Sequence, residues 1–302
     1  MSGSADSLKS IFFALGANFA IALAKTGGAI FTGSSSMLAE AIHSYADCGN
    51  QALLIWGLKE AKRAPTPDHP LGFGKAIYFW SFIVALMLFS MGGLFSIYEG
   101  AHKLHETEPV RNPWVAVAIL VFGVVAESVS LWGCLREINK TRDTQTLWQW
   151  FRASRQSELL VVLGEDLAAL GGLVLALGFI ALAMWTGNPL WDAVGSIAIG
   201  VLLVLVAILV GVEVKALLVG QSAEPAVVAR MREHIEARPE VAQVYNLLTQ
   251  QLGGEIMVAV KARLHPAGSE EALIEAINRV EASLRAAFVD IRWIFFEPDL
   301  RD

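Results

Sequence analysis

Between Gly33 and Arg63 the chain reads GSSSMLAEAIHSYADCGNQALLIWGLKEAKR. The run is long and apolar enough to cross a bilayer as a helix, at roughly 20 residues per crossing. Glu40, His43, Asp47 and Asn50 interrupt it at intervals of three and four. On a helix that spacing stacks side chains along one face. A membrane helix with one polar stripe must turn it away from lipid, towards protein or a water-filled path. His43 and Asp47, at i and i+4, can hold a divalent cation between an imidazole nitrogen and a carboxylate.

Other ionisable groups lie deep in apolar runs. Glu127, in VVAESVSLWG, must pair, stay protonated or line a path. Glu165 and Asp166 sit in SELLVVLGEDLAALGGLVLALG and point about 100° apart on a helix, so only one shares a given direction. Lys25, in an alanine- and glycine-rich run with Asn18, is expected to snorkel or to pair with a carboxylate, with a structural rather than a transport role. Elsewhere the plainer reading is preferred. Asp68 and His69, in APTPDHPLGFGK, fit a solvated turn, and His102, His105 and Glu106 fit a polar loop better than a metal-capture site. In TGNPLWD, Asn188 fits an N-cap, Pro189 the first helical position and Asp192 the first turn, where the helix dipole favours an anion. Isolated His234 and His265 read as surface residues.

These residues need helices to hold them, and the composition provides for that. Of 302 residues 55% are hydrophobic and 17% charged, with a mean hydropathy of +0.51. Soluble domains carry about 25% charged residues, so the chain reads as an α-helical polytopic membrane protein. Its net charge of −6 is spread without a basic block, which argues against nucleic acid as a partner. Cys48 and Cys134 fall inside expected spans as small apolar fillers, too few for a disulfide framework. The start, MSGSADSLKS, lacks the features of a cleavable signal or a transit peptide, and the first span is expected to serve as the targeting signal.

Six apolar segments are expected near residues 10–32, 36–60, 76–99, 113–136, 158–185 and 190–218, forming a transport-type domain over 1–219. Lys59, Lys62, Arg63 and Lys75 follow the second, and Arg136, Lys140, Arg142, Arg152 and Arg155 follow the fourth. The loops on the other side hold only Lys103 and Arg111, so both termini are expected in the cytoplasm. Residues 220–302 read as a small cytoplasmic α+β domain. A helix in AEPAVVARMREHIEARPE is followed by two strands around Gly253-Gly254, a helix opened by Ser269 with Glu270 and Glu271, and a strand in DIRWIFFEPD, giving αββαβ.

Taken together, GSSSMLAEAIHSYAD, DHPLGFGK, GEDLAALG, TGNPLWDAVGS and LLVGQS resemble the cation diffusion facilitator family over essentially the whole chain, and within it the zinc transporter nine branch. The resemblance implies a six-helix transmembrane bundle with a metallochaperone-like cytoplasmic domain, working as a homodimer that exports divalent metal, zinc above all, against protons. It further implies a carrier rather than an enzyme, with no organic cofactor. Family members place two ligands on the second span and two on the fifth. His43, Asp47 and Asp166 match three of these, and Val162 stands where many members have histidine. The fourth ligand would be Glu165, Glu127, a water, or nothing. Phe73 also replaces a histidine that some members carry in the loop after the second span, and accessory cytoplasmic metal sites are not expected.

Metal would need neutral His43 and ionised carboxylates, so protons and metal would compete for one site. One imidazole with carboxylates suits zinc and also manganese. A non-transporting membrane scaffold with a degenerate metal site is the rival. An intramembrane metallo-enzyme would call for a motif such as H-E-x-x-H, which is absent. With no organelle address, a prokaryotic inner membrane is the expected location.

Overall fold

The computed structural model describes residues 3–105, 112–140, 142 and 144–301, with side chains described from residue 18 onward. Glu106 and Arg111 lie outside that set. The chain divides into two compact units. One comprises Met1–Trp56, Trp80–Thr144 and Glu158–Glu213, the other Gly57–Phe79, Gln145–Ser157 and Val214–Asp302.

Long helices build the first unit: α1 (Gly3–Thr32), α2 (Ser35–Ala61), α3 (Ala76–Met87), α4 (Phe95–Lys103), α5 (Pro113–Ile138), α7 (Ser157–Thr186) and α8 (Leu190–Val219). A π-helical turn over Leu88–Leu94 joins α3 to α4 without a break. Among the described residues four helices are long and apolar enough to cross a membrane, namely Ala76–Lys103, α5, α7 and α8. Gly33, at φ +68°, breaks the chain between α1 and α2 in a conformation that disfavours other residues. At the start of α8 the Asn188 side chain accepts from Leu190 N at 3.0 Å, capping it as the sequence suggests.

Met37, Leu88, Leu120, Leu173, Ile199 and Leu203 belong to the apolar core that packs α2, α5, α7, α8 and the π-turn together. The π-turn and α4 meet α8 backbone to backbone. A Cβ on Gly200 would come within 2.6 Å of the Gly93 carbonyl oxygen, and one on Gly100 within 2.7 Å of that of Ala193. Ser196 donates to the Ser96 carbonyl at 2.8 Å along the same seam. Small residues allow such an approach, and hydrogen bonding then joins the helices.

Asp192 does more than begin its own helix. Its carboxylate accepts from Ser34 Oγ at 2.7 Å, Ser35 N at 2.7 Å, Ser35 Oγ at 3.0 Å and Ser36 Oγ. It therefore satisfies one orphan backbone donor at the start of α2 together with three serine hydroxyls, a capping task normally done by a neighbour in sequence. The helix bearing the polar stripe is anchored at one end by a residue 157 positions away.

The second unit contains α9 (Pro225–Glu236), β1 (Val241–Leu252), β2 (Glu255–Leu264), α10 (Glu270–Ala287) and β3 (Ile291–Pro298). The sheet order is β1-β2-β3, with β1 antiparallel and β3 parallel to β2. Val258, Val260 and Ala262 of β2 alternate inward and pack with Met231 and Ile235 of α9 and Val280 and Leu284 of α10, so both helices cover one sheet face. Gly253, at φ +68°, turns the β1–β2 hairpin, and its N–H donates to the hydroxyl of buried Tyr78 at 2.9 Å.

One feature departs from the sequence reading. The stretch taken as a basic loop contains α6 (Leu147–Ala153), opened by a capping box in which Thr146 and Gln149 exchange hydrogen bonds. The DHPLGFGK segment is a solvated turn as expected, in which His69 stacks on Phe73 at 4.5 Å while Arg63 covers the Phe73 ring at 4.2 Å.

Candidate functional site

Three helices bring their acidic residues to one small cavity of about 40 Å³. It is lined by Asp47 from α2, Glu127 and Ser130 from α5, and Val162, Glu165 and Asp166 from α7, among others. That volume accommodates roughly one to three water-sized particles. The i+3 step from Glu127 to Ser130 puts both on one face of α5, and the i+4 step from Val162 to Asp166 does the same on α7. Glu165 and Asp166 both line the cavity, although consecutive residues point about 100° apart on a helix.

The carboxylates are held from the side. Ser130 Oγ donates to Asp166 Oδ1 at 3.0 Å. Asn50 Nδ2, one turn beyond Asp47 on α2, donates to Glu165 Oε1. Both contacts leave part of each group uncommitted. Asp166 Oδ2, Asp47 Oδ1 and Asn50 Oδ1 are buried without hydrogen-bond partners among the described residues.

His43 does not line the cavity. It is fully buried beside it, with Nδ1 3.6 Å from Asp47 Oδ1, too long for a hydrogen bond, and neither ring nitrogen has a partner among the described residues. Gly92 of the π-turn lies against the ring, since a Cβ there would stand 3.6 Å from Nδ1. Leaving a buried polar group unpaired costs about 1–3 kcal/mol, so these atoms are chemically available for a further interaction. Among the described residues no three His, Cys, Asp or Glu side chains are arranged to hold a metal ion. The side chains are gathered but not closed around a centre.

Lys25 and Glu40 form a second buried group alongside. Lys25 Nζ lies 3.1 Å from Glu40 Oε2 and donates to Ser44 Oγ at 2.8 Å, the carboxylate partner anticipated for that lysine. Four carboxyl groups around one small cavity demand compensation, by protons or by a cation. Sequence reasoning missed Ser130. Its signal was its place three residues after Glu127, on the same face of a helix.

The other candidates lie elsewhere. His102 and His105 are exposed, and so are Asp68 and His69. His234 pairs with Ser283 at 2.8 Å, and His265 sits on the second unit with Arg263 and Asp299 beside an open hollow.

Comparison with known proteins decides the family. The cation efflux transmembrane domain matches residues 11–219. The chain belongs to the cation efflux family. A frog relative (Xenopus laevis), named proton-coupled zinc antiporter SLC30A9, mitochondrial, is 38% identical over 227 residues, 74% of this chain and 40% of the frog protein. The chain thus spans 40% of the length of that relative. Metal tolerance protein C4 of Arabidopsis thaliana is 29% identical over 82% of this chain and 54% of its own. Zinc transporter ZitB of Escherichia coli (strain K12) is 23% identical over 90% of this chain and 82% of its own. The resemblance to cation diffusion facilitators, and to the zinc transporter nine branch among them, therefore stands. The efflux family and these relatives are named for efflux, transport and metal tolerance.

Proposed function

We propose that this cation efflux protein carries zinc out of the cytoplasm in exchange for protons, with His43, Asp47 and Asp166 as ligands and Glu165 or Glu127 completing the shell. The observation that supports it best is the set of buried, unpartnered atoms on His43, Asp47 and Asp166 beside a small acidic cavity. The zinc antiporter and zinc transporter names of its relatives point the same way.

Each residue then has a task. His43 supplies a neutral imidazole nitrogen, and Asp47 and Asp166 supply carboxylate oxygens, a donor set suited to zinc. Ser130 holds one oxygen of Asp166 so that the other stays free. Asn50 donates to one oxygen of Glu165. Protons and zinc exclude each other at these atoms, because metal binding requires deprotonated ligands. Alternation of the bundle between inward- and outward-open states would convert that competition into antiport.

The same reading has six helices crossing an inner membrane, with both termini cytoplasmic, a transport domain over 1–219, a cytoplasmic domain over 220–302, and a homodimer as the working form. Val162, on the cavity wall where a fourth ligand would fit, favours two narrower alternatives: a scaffold with a degenerate site, or an exporter of another first-row metal such as manganese.

The test is zinc flux into proteoliposomes under an imposed pH gradient. Gradient-dependent uptake that is lost in His43→Ala and Asp47→Ala is expected. Uptake indifferent to the gradient would sink the proton coupling. No uptake of zinc or manganese by wild type would leave the scaffold reading.

A further inference from the structure

The Lys25–Glu40 pair is an odd thing to build into a helical bundle. Both side chains are completely buried, one on α1 and one on α2. A glycine on another helix makes room for the carboxylate: a Cβ on Gly172 of α7 would collide with Glu40 Oε1. Stability does not explain the arrangement. A buried ion pair is commonly no better than apolar side chains of similar volume, because desolvation offsets the attraction.

Position does explain it. Glu40 and Ser44, the two groups that hold the Lys25 ammonium, straddle His43 on α2. Ser44, which holds the Lys25 ammonium at 2.8 Å, itself lines the cavity together with Asp47 and Glu127, so the pair stands directly beside the acidic groups. The pair is also not self-contained. Glu40 Oε1 is buried without a hydrogen-bond partner among the described residues, so the carboxylate is satisfied on one side only.

We infer that Lys25 and Glu40 set the affinity of the neighbouring site for its cation: the fixed ammonium weakens binding enough for release, and the carboxylate keeps it from being lost. The inference rests on the reading that His43, Asp47 and Asp166 take a divalent cation. Lys25 and Glu40 are positioning residues here and touch no cargo. A unit charge within about 10 Å of a divalent ion, at the effective dielectric of a protein interior, changes a binding constant by roughly tenfold or more.

Zinc binding to the purified full chain, followed by calorimetry, tests this. Lys25→Met should tighten binding by at least roughly tenfold and Glu40→Gln should weaken it by as much. The neutral double variant Lys25→Met/Glu40→Gln and the charge-preserving Lys25→Arg should both stay within about threefold of wild type. Loss of packing alone would weaken both single variants, so the opposite signs separate charge from structure. Should a single variant not fold, the double variant and the swapped pair Lys25→Glu/Glu40→Lys carry the test. The first keeps wild-type affinity, and the second, with its cation one turn from His43, loses roughly tenfold or more. Shifts of one sign in both single variants, no shift, or equal affinity in the double and swapped proteins would overturn the inference and leave the transport reading intact. Wild type that binds no divalent ion would overturn both.

Discussion

Replacing Asp192 should loosen the end of the helix that carries the polar stripe. Its carboxylate accepts one backbone N–H and three hydroxyls from Ser34, Ser35 and Ser36, and the residue is 3% exposed. Hydrogen bonds to a charged group contribute about 1.5–3 kcal/mol each, and a stranded buried donor costs about 1–3. The four do not add, since Ser34 and Ser36 already share a 3.0 Å contact and can turn to each other. Counting only the Ser35 N–H and one hydroxyl, Asp192→Ala should cost about 3–5 kcal/mol. Asp192→Asn, which keeps an acceptor but no charge, should cost about half of that, and Ser35→Ala about 1 kcal/mol. Thermal unfolding of the full chain in detergent, at one scan rate, measures this. At about 2–4 °C per kcal/mol, Asp192→Ala should lower the apparent Tm by about 10 °C. A shift under about 2 °C would refute the claim that Asp192 anchors α2.

Further outcomes follow from the same contacts. Ser130→Ala removes the donor that fixes Asp166, so zinc affinity should fall by about tenfold while Tm barely moves; calorimetry beside a melt separates the two. Tyr78→Phe removes the acceptor of the half-buried Gly253 N–H, and amide exchange in the β1–β2 turn should quicken by roughly tenfold or more, measured by mass spectrometry. In the second unit, partial desolvation raises the Glu240 carboxyl, but hydrogen bonding from Arg279 and the nearby Arg238 outweigh it and hold the group below its ordinary range. A depressed carboxylate contributes stability that is present above its unfolded value and lost as pH falls through the folded one. Stability should therefore decline on acidification below about pH 4, and less steeply in Glu240→Gln, as followed by denaturant melts across pH.

What the sequence made legible was local. The three- and four-residue steps of Glu40, His43, Asp47 and Asn50 mark one face of α2, and they require no partner to be seen. The same holds for the Gly253-Gly254 turn and for Ser269, whose side chain accepts from Ala272 N at 3.2 Å as an N-cap should. Thr146 and Gln149 carried an equally local signal, but a run of basic residues around them masked it. Distant pairings were not legible. Asp192 looked complete as part of its own helix start, and nothing in TGNPLWD points to three serines far earlier in the chain. Lys25 announced the need for a carboxylate but not which one, since that depends on how α1 and α2 face each other. Ser130 drew no notice because a serine in a membrane helix ordinarily bonds its own backbone, as Ser128 does to the Val124 carbonyl at 2.6 Å.

The most direct test of the central claim is X-ray absorption spectroscopy at the zinc edge on the zinc-loaded full chain. The account predicts a shell of one imidazole nitrogen and carboxylate or water oxygens at about 2.0–2.2 Å, with the imidazole signal lost in His43→Ala. A sulfur ligand, two or more histidines, or a spectrum unchanged by His43→Ala would place the metal elsewhere and contradict it.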